Sequence, residues 1–314
     1  MNKARLSPRR GGSGAFLVCL FLMLSGSPVS AQNPEAPRPE TAQTWADQQK
    51  AQAWATRKLD QSPRRHEWVT ISNGGKTLKA FVTYPQTKGK APVVLVPHEV
   101  FGLTDSTRNT ADEIAAMGYI AIAPDMVSGF GPNGGGTGAF ATSRQASTMI
   151  TSLPDETVNA AFNAWADYGL KLPEANGKLA IVGLSWGGGA AFRYALSGTH
   201  SKNLKLVCVF YDVGPPAVTQ GPNRDAKNNP PISVAAIDVP VYGFYGSTDA
   251  RVMQSLPATK AEMEAAGKAY NPMVFEGADH AFMRVGEDPA NRNPANPAAV
   301  KASLARLKMV LGGM

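Results

Sequence analysis

Residues 178–196 read KLAIVGLSWGGGAAFRYAL. The opening KLAIVG, apolar from Leu179 to Val182, reads as a strand. From Gly187 to Leu196 the residues are small or apolar apart from Arg193 and suit a helix. Between the two lies Gly183-Leu184-Ser185-Trp186-Gly187, which fits G-x-S-x-G. The pentad alone is a weak signal, but its position at a strand-to-helix turn gives it meaning. A serine there sits on a sharp, strained bend with its hydroxyl exposed. Gly187, Gly188 and Gly189 leave room for neighbouring backbone. The helix N-terminus turns free N–H groups toward an oxygen reacting at the bend. Ser185 therefore reads as a nucleophile.

Outward from this stretch, strands and helices alternate. APVVLVP (91–97), YIAIAP (119–124), LKLVCVF (204–210), VPVYGFYG (239–246) and NPMVFEG (271–277) are further strand candidates. Asp105 or Ser106 is positioned to cap a helix that runs to Met117, with Ala111, Ile114 and Ala115 on its apolar side and Gly118 at its end. Further helices are expected at Pro154–Leu172, Ala258–Ala266 and Ala298–Leu311. Upstream, EWVTIS and KAFVTYP alternate as a hairpin around Asn73-Gly74-Gly75. Two antiparallel strands followed by strand–helix alternation predict an α/β fold. Its sheet has about eight strands, mostly parallel, with helices on both faces. Residues 128–141, SGFGPNGGGTGAFA, are too glycine-rich for a core element and read either as a rim or lid over the site or as a plain solvent loop.

The N-terminus differs from the rest. Lys3, Arg5, Arg9 and Arg10 precede an apolar run from Ala15 to Leu24, and Val29-Ser30-Ala31 resembles a signal-peptidase site. About ten apolar residues are too few to span a bilayer, which takes about 20. Residues 1–31 thus read as a cleaved signal peptide, which implies a periplasmic or secreted protein without a stable membrane anchor. Residues 32–65 form an extension, either a linker or, over Thr44–Leu59, a surface helix. Residues 66–314 are the domain.

Composition excludes several classes. With 43% hydrophobic and 18% charged residues the chain is globular rather than disordered. Removing the four basic residues of the signal takes the formal charge from +7 to about +3. No basic cluster with interleaved aromatics suggests a nucleic-acid partner. Cys19 leaves with the signal, and Cys208, inside an apolar strand, reads as inert packing. The histidines lack ligand spacing and no cysteine cluster exists, so no metal site is expected. No strand–helix junction carries a P-loop or dinucleotide fingerprint, and no cofactor is expected.

A serine hydroxyl needs a base. The strand-borne Ser185 resembles the nucleophile of the α/β-hydrolase fold, in which the order is Ser, acid, His, and the histidine follows the last strand. Of His66, His98, His200 and His280, only His280 lies there, in FEGADHAF. His66 and His200 read as surface residues. Asp249 and Asp212 both end strands and are acid candidates, with Asp249 favoured by its place after the penultimate strand. Asp279 adjoins His280 and reads as a loop carboxylate. An acid so placed holds the histidine in the tautomer that accepts the serine proton. An oxyanion hole needs two N–H donors, one from Trp186 and one from His98–Gly102, for which Val100 is the choice.

At this point PVVLVPHEVFGL, AAMGYIAIAPD, GLSWGG, YGFYGSTDARV and EGADHAFMR, in this order, resemble the dienelactone hydrolase family, specifically its exported branch. The resemblance covers nearly the whole domain. It implies a Ser185–Asp249–His280 triad and supports Asp249 over Asp212. It also implies that Glu99 lies beside the nucleophile and influences its ionisation. Arg284 is associated with Glu99 and with a substrate carboxylate, the plain alternative being a simple Glu99–Arg284 salt bridge. A second carboxylate-binding arginine has only Arg144 as a weak match. The family typically has cysteine where this chain has Ser185. A hydroxyl, unlike a thiol near pKa 8.5, needs a general base during attack. The expectation is a serine hydrolase acting on a small ester or lactone, with Arg284 favouring anionic substrates. A catalytically weak ligand-binding relative and an acyltransferase using the same triad remain alternatives.

Overall fold

The computed structural model describes residues 44–214 and 233–314. The signal read at residues 1–31 and the first part of the extension lie outside the described residues.

Eight strands form one sheet: β1 (His66–Asn73), β2 (Lys76–Thr83), β3 (Ala91–Leu95), β4 (Ile120–Asp125), β5 (Ala175–Leu184), β6 (Leu204–Phe210), β7 (Val241–Gly246) and β8 (Tyr270–Phe275). Their spatial order is β1-β2-β4-β3-β5-β6-β7-β8. β2 pairs antiparallel with β1 and with β4, and the remaining pairings are parallel. This is the α/β-hydrolase arrangement expected from the sequence. The β1–β2 hairpin turns on Gly74 and Gly75, both at positive φ (56° and 77°), as a two-residue hairpin turn demands.

The central strands show why their inner stretches, residues 93–96 and 179–182, are apolar at every position. Val93 and Leu95 of β3 and Leu179 and Ile181 of β5 face one layer, while Val94, Val96, Ala180 and Val182 face the other. On the first side they meet Phe162 and Trp165 of α5 (Asp155–Leu170) and Phe192 and Tyr194 of α6 (Trp186–Leu196). On the second they meet Ala111 and Ile114 of α3 (Asp105–Ala116) and Leu307 and Leu311 of a long C-terminal helix. Residues such as Leu95 and Ile181 are fully buried, so truncating either to alanine removes about 2–5 kcal/mol.

The segment open between spacer and surface helix forms two helices, α1 (Trp45–Ala51) and α2 (Ala53–Asp60). Thr44 and Asp47 make a reciprocal capping box for α1. Trp54, Ala55 and Leu59 of α2 are buried. Polar contacts add to this: Gln52 Oε1 accepts the Ser106 N–H at 2.8 Å, and Thr56 donates to Asp105. Asp105 is thus occupied by Thr56 and Arg108, and neither it nor Ser106 caps α3. Thr104 holds the N-cap position without a side-chain bond.

Three further differences have local causes. A helix α4 (Ser143–Ser152) follows the glycine-rich loop, capped by Thr142 and burying only Ser143, Ala146 and Ile150, too few apolar positions to announce it. Helix α7 (Ala250–Ala265) begins eight residues before the expected Ala258, running through Pro257 because Asp249 caps its start. After the short α8 (Phe282–Val285), the last helix α9 (Ala295–Gly312) starts at Ala295. The loop at 128–141 is pinned: Asp125, at the end of β4, accepts the N–H of Thr137 at 2.8 Å and its hydroxyl at 2.7 Å. The same Thr137 oxygen accepts the Leu103 N–H at 3.0 Å, tying this loop to the one after β3. No described helix is long and apolar enough to cross a membrane.

Candidate active site

The chain passes from β3 outward to β4 on one side and returns to β5 on the other. The crevice above the carboxyl ends of β3 and β5 is therefore the switch point where such sheets bind ligands. Ser185 follows β5 there, with φ 49° and ψ −120°. Such a backbone costs a non-glycine residue about 1–3 kcal/mol and persists only where its surroundings enforce it. Enforcement is visible. The Ser185 N–H donates to Phe210 O at 3.0 Å, and Leu184 N–H donates to Pro97 O at 3.1 Å. A Cβ on Gly183 would lie 2.3 Å from Gly187 O, and one on Gly187 would lie 2.3 Å from Pro97 O. The two flanking glycines of the pentad are there because no side chain fits.

His280 stands 3.1 Å from Ser185 Oγ through Nε2 and 2.5 Å from Asp249 Oδ2 through Nδ1. With Nδ1–H donated to the carboxylate, Nε2 keeps its lone pair for the serine hydroxyl. Burial alone would raise the Asp249 carboxyl. The His280 hydrogen bond and charge, the Val252 N–H and the Arg251 charge together hold it below its ordinary 3.8.

The loops bearing Asp249 and His280 are stapled to each other. Thr248 donates its N–H to Ala278 O at 3.1 Å, and its hydroxyl lies 2.9 Å from both Ala278 O and Asp279 Oδ1. Gly277 N–H donates to Ser247 Oγ at 2.8 Å. Asp279 also accepts from Asn293 and Asn296, which makes it the anchor of this loop.

The other acid candidate, Asp212, is committed elsewhere. Its oxygens accept the N–H groups of Gly189 and Val213 and a 2.7 Å bond from Arg251. His66 and His200, read as surface residues, are both engaged. His66 meets Asp112 at 2.8 Å and packs on Phe81; His200, its side chain 8% exposed, meets Asp238 at 3.0 Å. Their partners lie 46 and 38 residues away, beyond the reach of local pattern.

The loop after β3 completes the site. The N–H groups of Val100 and Trp186 have no hydrogen-bond partner among the described residues. Glu99 is buried, with Oε2 2.7 Å from Arg284 Nε and Oε1 accepting from the Tyr211 hydroxyl at 3.2 Å. The Glu99 charge chiefly holds the Arg284 guanidinium above its ordinary pKa, and burial pushes the Tyr211 phenol well up.

Tyr211 went unremarked in the sequence. It follows β6 at positive φ (39°), and its ring lies 5.2 Å from that of His280. A tyrosine at a strand's carboxyl end was the available signal. Arg144 stands exposed on α4, and no hydrogen bond or ion pair joins it to these residues. Cys208 is buried and its thiol is pushed up by that burial. Among the described residues no group of three His, Cys, Asp or Glu side chains could hold a metal.

The sequence model of the dienelactone hydrolase family matches residues 78–313. A protein of Escherichia coli O157:H7, provisionally named a carboxymethylenebutenolidase, is 28% identical over 219 residues, covering 68% of this chain and 76% of that protein. The carboxymethylenebutenolidase of Pseudomonas putida is 27% identical over 225 residues, covering 69% and 86%. A solved structure from Klebsiella pneumoniae, provisionally named a dienelactone hydrolase, aligns with a TM-score of 0.63 at 23% identity. That alignment covers 77% of this chain and 97% of the other. At that identity the likeness is one of fold.

Proposed function

The chain belongs to the dienelactone hydrolase family, and from that premise we propose that it hydrolyses a small ester or lactone through an acyl-enzyme on Ser185. As the substrate carbonyl approaches, His280 Nε2 takes the hydroxyl proton and Ser185 Oγ attacks. Asp249 keeps the imidazole in its tautomer and offsets the charge that forms. The oxyanion of the tetrahedral intermediate is received by the Val100 and Trp186 N–H groups. His280 returns the proton to the departing alkoxide, which in a lactone stays tethered to the acyl group. Water, deprotonated by His280, then releases the acid and restores Ser185.

One observation carries this reading: the Ser185–His280–Asp249 relay, at 3.1 and 2.5 Å, on a strained turn at the switch point of the sheet. The position where the resemblance implies cysteine holds Ser185, so His280 rather than Glu99 activates the nucleophile. Arg284 spends its Nε on Glu99, and its other nitrogens are available to an anionic substrate. The N-terminal signal pattern supports action outside the cytoplasm.

The test is a panel of p-nitrophenyl esters and small lactones, neutral and anionic, assayed with wild type and Ser185→Ala. Turnover by wild type and a loss of at least about 10³-fold in the folded variant support the proposal. A panel without turnover, or an active Ser185→Ala, overturns it.

A further inference from the structure

His98 is fully buried and hydrogen-bonds to none of Ser185, His280 and Asp249, yet both of its ring nitrogens are committed. Nε2 lies 3.1 Å from the Met126 N–H and can only accept from it. The proton is therefore on Nδ1, which donates at 2.7 Å to the carbonyl of Glu99. That carbonyl also accepts the Gly102 N–H at 3.1 Å, so its direction is fixed twice. A peptide unit is planar and trans, so the N–H of Val100 must point opposite to the Glu99 carbonyl. With Glu99 O turned inward onto His98, the Val100 N–H is turned outward, and it is without a partner among the described residues. On its other side the His98 carbonyl accepts the Gly187 N–H at 3.1 Å, and the ring stacks on Trp186 at 5.7 Å. Trp186 is the second donor of the proposed pair.

We propose that His98 is a positioning residue that sets the Glu99–Val100 peptide, and with it the orientation of the Val100 donor toward the reacting oxygen. The inference rests on the acyl-enzyme reading above and assigns His98 a role within it. An N–H already aimed where negative charge develops needs no reorganisation during attack; a peptide free to rotate loses that advantage. The effect falls on the transition state, because the ground-state carbonyl draws less on the donor.

The test uses the full chain with His98→Leu and His98→Gln. The glutamine amide supplies one donor and one acceptor, as the ring does. Leucine is expected to lower kcat for p-nitrophenyl acetate about 100-fold with KM within about threefold, and glutamine to restore most of it. A kcat for His98→Leu within about threefold of wild type, or no recovery with glutamine, overturns the proposal. 15N NMR of the wild-type ring provides a reading independent of variant folding and of turnover. Protonated Nδ1 and acceptor Nε2, unchanged from about pH 5 to 9, are expected. An Nε2–H tautomer or a titrating ring overturns the proposal even in an active enzyme. Failure of wild type to turn over any ester would count against the acyl-enzyme reading instead.

Discussion

Glu99 is bound to Arg284, not to Ser185. Its two oxygens meet Arg284 Nε at 2.7 Å and the Tyr211 hydroxyl at 3.2 Å, while the Ser185 hydroxyl is spent on His280. The Glu99 side chain is 5% exposed and that of Arg284 28%. Removing one partner of a buried pair leaves the other uncompensated, so Glu99→Gln is expected to cost about 3 kcal/mol in denaturant unfolding. Replacing both residues, Glu99→Gln with Arg284→Met, should recover part of that loss. With His280 as the proposed base for the Ser185 hydroxyl, kcat of Glu99→Gln should fall by less than about tenfold, as steady-state assays would read.

Asp249→Asn tests the orienting acid. An asparagine can still cap α7, but it no longer favours the Nδ1–H tautomer, so kcat should drop about 10³–10⁴-fold with little change in fold. The pH dependence has a defined sign. The folded Asp249 carboxyl lies below its ordinary 3.8, so its contribution to stability is present above that value and lost as pH falls through the folded pKa. Unfolding measured over pH 2–6 (roughly that window) should show a smaller acid-side loss in the variant than in wild type, the remainder coming from other lowered carboxyls such as Asp112 and Asp279.

Thr248→Val removes the hydroxyl that staples the acid loop to the base loop. One hydroxyl donor, shared between the Ala278 carbonyl and the Asp279 carboxylate, is lost while Asp249 and His280 are chemically untouched. We expect about 1–2 kcal/mol of destabilisation and a kcat lowered about tenfold through looser geometry. Unchanged kinetics would show that the relay holds without the staple.

The carboxyl group of Glu113, on α3, is pushed up to about 8, first by burial and then by the neighbouring Glu287, with Lys58 of α2 opposing. Lys58 bridges the two at 3.0 and 2.8 Å. A folded pKa above the unfolded 4.5 means the stabilising, protonated form is fully present below 4.5 and lost as pH rises through about 8. Thermal unfolding of wild type should therefore decline across that window, and Glu113→Gln should flatten the decline.

Where a side chain's role was local, the sequence displayed it. Residues 93–96 and 179–182 are apolar at every position because both faces of β3 and β5 are covered there, and the glycines at 183 and 187 mark a turn with no room for their side chains. Ser185, His280 and Asp249 could be nominated because each follows a strand, and the fold gathers strand ends. Roles set by distant partners were hidden. Nothing near His66 announces Asp112, and Lys58 meets Glu287 across 229 residues. Asp249 also caps α7, a contact three residues along that the strand-end pattern does not convey, and the helix begins at Ala250 rather than the expected Ala258. Tyr211 escaped notice because its importance lies in a positive φ and in Glu99, neither of which a strand pattern conveys.

The central claim is that Ser185 becomes covalently acylated because His280 takes its proton. Intact-mass and peptide mapping after treatment with a fluorophosphonate, from which an activated serine displaces fluoride to give a phosphonyl ester, reads the nucleophilic step of this claim. The account predicts one adduct per chain, on Ser185, in wild type, and at least about 100-fold slower labelling in His280→Ala. No adduct on Ser185 in folded protein, or labelling that proceeds at the same rate without His280, would contradict it.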